Sequence, residues 1–121
     1  MSTQVATPRR SALSLWLPVV IWAGVIFAFS AVPSLGTGLG TWDLVLRKLA
    51  HVSEYAVLGL LLARATRRPA VAVALAAGYA VTDEIHQTFV SGRHGASLDV
   101  AIDTVGALVG ALVWLRWSRR T

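Results

Sequence analysis

Cysteine is absent from the 121-residue chain, so neither a disulfide framework nor a thiolate metal site is open to it. Charge is scarce too: 14% of residues are Asp, Glu, Lys or Arg, against 55% hydrophobic ones. An ordinary soluble domain carries about 25% charged residues, and a mean hydropathy of +0.63 adds to the same contrast. Composition therefore favours a membrane protein before any motif is read. Acids are the scarcer sign, 6 against 11 basic residues, which leaves a net charge of +5. Nucleic-acid binding would want those cations on one folded face. Instead Arg9, Arg10, Arg64, Arg67, Arg68, Arg116, Arg119 and Arg120 flank apolar runs. That is the pattern of cytoplasmic membrane anchoring, and no nucleic-acid partner is expected.

What the chain does have is four long apolar runs, approximately residues 12–32, 44–63, 69–90 and 97–117. A bilayer core of about 30 Å asks for about 20 such residues per helix. Pro18 sits near the start of the first run, where a missing N–H costs little, and Pro33, Gly36, Gly38 and Gly40 close it. RATRRP separates the second run from the third, with Pro69 suited to the first turn of a new helix. Trp114 and Trp117 end the fourth as interfacial anchors. The expectation is an all-α integral membrane bundle of four transmembrane helices over 12–117, with a tail at 1–11 and a basic tail at 118–121. The positive-inside rule places both termini in the cytoplasm, although Arg47 and Lys48 oppose that orientation. A cleaved signal is the competing reading of the N-terminus, with Ala28 and Ser30 as small residues at a cleavage site. The first run is longer than a usual signal core.

Ionisable residues interrupt these runs at one depth. At 1.5 Å per residue, His51 lies about 10 Å from the outer boundary, Asp83 and Glu84 about 10 Å, and Asp103 about 9 Å. Glu54 is deeper, and Lys48, Gln87, Arg93 and Asp99 lie nearer the surface. At 100° per residue Lys48, His51, Tyr55 and Gly59 form one stripe, flanked by Arg47 and Glu54. Tyr79, Asp83 and Gln87 share a face with Ala72, Ala76 and Ala80. Asp99 and Asp103 share one with Gly106 and Gly110, a GxxxG packing signature. A lipid-facing charge at mid-bilayer costs about 2.5–3.5 kcal/mol, so these faces should point inward. Simpler roles stand beside this one. Arg47 and Lys48 could snorkel, Asp99 could cap the fourth helix, Glu54 could pair with Arg47, and His86, off the stripe, suits a structural role.

Three motifs in order, KLAHVSEYAVLG at 48–59, DEIHQTFVSGR at 83–93 and SLDVAIDTVGALVG at 97–110, resemble the VanZ-like membrane proteins, a family named for a teicoplanin-resistance protein. FAFSAVPS at 27–34 resembles the family's opening. Asp103 departs from the pattern, which usually has Asn there. The resemblance implies a multi-pass protein of the bacterial cytoplasmic membrane linked to reduced glycopeptide sensitivity. It implies no settled reaction.

Three functional readings follow. In the first, Lys48, His51 and Arg93 receive the phosphate of an envelope lipid or lipid-linked precursor. Asp83, Glu84, Gln87, Asp99 and Asp103 orient those cations or accept from ligand hydroxyls, beside Tyr55. In the second, His51, Glu54, Asp83, Glu84 and Asp103 serve an intramembrane enzyme acting on a lipid phosphate, by acid–base chemistry or with a metal. The third is a structural or regulatory subunit. No cofactor is assigned, and the Gly106/Gly110 face is the expected contact for a homo-oligomer.

Overall fold

The computed structural model describes residues 11–30, 41–89 and 97–119. It contains four helices and, among the described residues, no strand: α1 Ala12–Ser30, α2 Thr41–Thr66, α3 Pro69–Thr88 and α4 Ser97–Ser118. The all-α expectation therefore holds, with helix bounds within three residues of those expected. Pro18 falls well inside α1 rather than in its first turn. Its ring removes the N–H that would have bonded the Ser14 carbonyl, so the proline is less innocuous than its place in the sequence suggested.

The α2–α3 corner is sharp, for local reasons. Arg67 adopts a left-handed φ of 59° and donates its N–H to the Ala63 carbonyl at 2.7 Å, closing α2. Arg68 is then extended, as the residue before a proline prefers, and Pro69 opens α3 where a missing N–H is harmless.

Helix α2 is the hub, packing against all three others and most extensively against α4. Small residues allow that approach. A Cβ added to Gly106 would lie 2.6 Å from the Val52 carbonyl oxygen, one on Gly110 would overlap the Ala56 backbone, and one on Gly59 would overlap that of Ala107. The Gly106/Gly110 face, which the sequence offered to a second copy, is thus filled by α2 of the same chain. On α3 the stripe Ala72, Ala76, Ala80, Asp83 and Gln87 is buried in full. Trp22 Nε1 donates to the Glu54 carbonyl at 2.8 Å, and the Tyr79 hydroxyl donates to the Ala23 carbonyl. These bonds tie α1 to α2 and α3.

The bundle differs from a water-soluble one in where its polar and large apolar residues lie. Its interior holds alanines, glycines and the polar Ser30, His51, Asp83, Gln87 and Asp103, together with a few large apolar residues such as Ile26, Tyr55 and Leu58. Its exterior carries large apolar side chains such as Leu13, Val20, Phe27, Ile85, Leu112 and Trp117. Exposed apolar surface on this scale marks contact with something other than water. Two helices, Ala12–Ser30 and Asp99–Ser118, are long and apolar enough to cross a membrane. Among the described residues, α2 and α3 do not meet that measure.

Candidate functional site

The interior polar residues form a ladder down α2, built by helical periodicity. Lys48, His51 and Tyr55 repeat every three to four residues on α2, and each meets a carboxylate from a neighbouring helix. At the first rung Lys48 Nζ lies 2.7 Å from Asp99 Oδ1 of α4, with side chains 39% and 30% exposed. This pair is the most exposed rung and so the mouth of the ladder. One turn further, His51 Nδ1 lies 3.6 Å from Asp103 Oδ1, and both side chains are buried. At the third rung the Tyr55 hydroxyl donates to Asp83 Oδ2 of α3 at 3.2 Å. Gln87 Nε2 reaches Asp83 Oδ2 and Ser30 Oγ, each at 3.5 Å, which brings α1 into the cluster.

The hydrogen bonding of this cluster is lopsided. Asp83 Oδ2 accepts from both Tyr55 and Gln87, whereas its Oδ1 is buried with no hydrogen-bond partner among the described residues. Both ring nitrogens of His51 and Glu54 Oε2 are in the same condition. Packing holds the imidazole in place: Phe29 meets it edge-on, with centroids 6.3 Å apart, and Tyr55 lies nearly parallel to it at 6.4 Å. His51, Asp83 and Asp103 each present one ligand-type atom within 4.8 Å of the others. Buried polar atoms are nearly always satisfied, so this concentration of unsatisfied ones is a property of the site.

Of the nine residues singled out by sequence, His51, Tyr55, Asp83, Gln87 and Asp103 converge, and Lys48 with Asp99 forms the mouth. Glu84 is only half-buried, and no hydrogen bond joins it to the cluster among the described residues. Arg93 lies outside the described residues. Asp99 sits within the first turn of α4 and pairs with Lys48 rather than capping the helix. His86 stacks on Phe27 with centroids 3.9 Å apart, away from the ladder. The residue that sequence reasoning missed is Ser30, whose signal was a lone hydroxyl closing the apolar α1 run.

Fold and site together define an all-α protein of membrane type, apolar outside, with a histidine and carboxylates enclosed between its helices. The VanZ/LLP1 family model matches residues 3–118, and the chain belongs to that family. No curated protein and no solved structure matches it.

Proposed function

We propose that the protein is a multi-pass protein of the bacterial cytoplasmic membrane that binds the phosphorylated headgroup of an envelope lipid or lipid-linked precursor in this ladder. In this reading all four helices span the bilayer and both termini are cytoplasmic. Headgroup binding contributes to glycopeptide resistance of the teicoplanin type or to envelope homeostasis. The observation that carries the reading is the grading of the ladder, from a half-exposed Lys48–Asp99 pair at its mouth to a buried cluster with unsatisfied acceptors one to two turns deeper.

An ammonium has three donors and Asp99 uses one, so Lys48 can keep its carboxylate while receiving a phosphate oxygen. Arg93 supplies the second cation. The deeper carboxylates would repel a bare phosphate, so they suit the hydroxyls or amine of a headgroup whose phosphate stays at the mouth. Purified wild-type protein, Lys48→Ala and Arg93→Ala should be compared for binding of a prenyl phosphate in detergent. Loss of one charge-assisted hydrogen bond, about 1.5–3 kcal/mol, weakens binding about tenfold or more in either variant. Equal binding by all three proteins rejects the reading.

A further inference from the structure

We infer that His51, Asp83 and Asp103 form a site for one divalent transition-metal ion of the Zn²⁺ or Mn²⁺ type. The three residues come from α2, α3 and α4, and their relative exposures of 7%, 3% and 4% put all of them inside the bundle. Their ligand-type atoms lie within 4.8 Å of one another. Bonds of about 2.0–2.2 Å at tetrahedral angles would hold such atoms about 3.3–3.6 Å apart. A contraction of about 1.2–1.5 Å at the widest pair, within reach of side-chain rotation, would therefore bring all three onto one ion.

Charge and hydrogen bonding point the same way. Two carboxylates enclosed with an imidazole must be neutralised in a dry interior, by protons or by a bound cation. The chain's one lysine, Lys48, is paired with Asp99. A divalent ion would balance both aspartates. Asp83 is already held as a metal ligand usually is: Tyr55 and Gln87 hold Oδ2, and Oδ1 is left buried without a hydrogen-bond partner among the described residues. The His51 nitrogens are likewise without one, although Nδ1 approaches Asp103. One imidazole nitrogen with two carboxylate oxygens suits a borderline ion, whereas Ca²⁺ asks for six to eight oxygens. Glu54 offers a further buried carboxylate oxygen three residues along α2, outside the converging set.

This inference does not depend on headgroup binding, but it bears on it. A metal below the mouth would turn an acid-lined site into one that attracts phosphate oxygens.

The test uses the full chain purified in lipid-free detergent, stripped with a chelator and equilibrated with Zn²⁺ or Mn²⁺ alone. After gel filtration the wild type should retain about one equivalent. His51→Ala and Asp103→Asn should bind more than about tenfold more weakly, while His86→Gln binds as the wild type does. Retention of neither ion by the wild type overturns the inference. So does undiminished binding by His51→Ala and Asp103→Asn when both keep wild-type helix content. Should those variants fail to fold, a chain carrying His86→Gln and His94→Gln has His51 as its single histidine, since the chain has three. Mn²⁺ must then broaden its ring proton signals, and unbroadened signals overturn the inference. Because no lipid is present, failure here leaves headgroup binding to be judged by its own assay.

Discussion

Replacing Gly110 with alanine adds a single methyl group where α4 has no room for one. The new Cβ would sit 2.7 Å from the Ala56 carbonyl carbon and 3.0 Å from the Leu60 nitrogen, with the Ala56 carbonyl oxygen closer still. All three are α2 backbone atoms, so no rotamer change relieves the contact. Restoring an ordinary 3.4 Å to the carbon alone requires α4 to retreat by at least about 0.7 Å. Overpacking of this kind costs about 1–3 kcal/mol. Gly78 on α3 is the internal control, with nothing within 4 Å of its built Cβ. Alanine there gains about 0.5–1 kcal/mol of helix propensity. Thermal unfolding in detergent should therefore place Gly110→Ala below wild type and Gly78→Ala at or above it. Asp103 lies two turns from Gly110 on α4, so the same retreat widens the His51–Asp103 approach and should weaken ligand binding as well. If both alanine variants unfold together at the wild-type temperature, the glycine-mediated α2–α4 contact is refuted.

At the α2–α3 corner, Arg67→Gly relieves a left-handed backbone that costs non-glycine residues about 1–2 kcal/mol, and melting in detergent should rise by a net equivalent of about 0.5–1 kcal/mol. A fall in melting temperature counts against the assigned corner geometry. Asp83→Asn combined with Glu84→Gln keeps side-chain shape and removes two charges. If expression lowers glycopeptide sensitivity, as proposed, a cluster that only sets helix register keeps that effect after this change, whereas a ligand-binding cluster loses it at unchanged protein level.

Much of the bundle is legible in the sequence because apolar run length and chain breakers are local signals. Pro69 and RATRRP mark the α2–α3 corner, and the inward stripes follow from 100° periodicity plus the cost of facing lipid with charge. The end of α2 is less legible. Charge at Arg64 suggested a stop at residue 63, but the helix runs to Thr66 and is closed by the backbone of Arg67. Partner choice is not local at all. Whether Lys48 meets Asp99 or open lipid depends on the register of α2 against α4, and that register is set by glycines 59, 106 and 110 lying against backbone. For the same reason the sequence could show GxxxG as a packing face but not name its partner, and the partner proves to be within the chain. Ser30 joins the cluster only because α1 docks with its last turn beside Gln87.

The central claim is that the ladder, rather than the apolar exterior, receives a lipid headgroup. The most direct measurement is a structure of the protein in nanodiscs containing anionic lipid, read for headgroup phosphate near α2 and α4. The account predicts a phosphate oxygen at hydrogen-bonding distance, about 3 Å, from Lys48 Nζ, with the headgroup extending toward His51 and Asp83. Ordered lipids confined to the exterior, with no headgroup at the Lys48–Asp99 mouth, would contradict it.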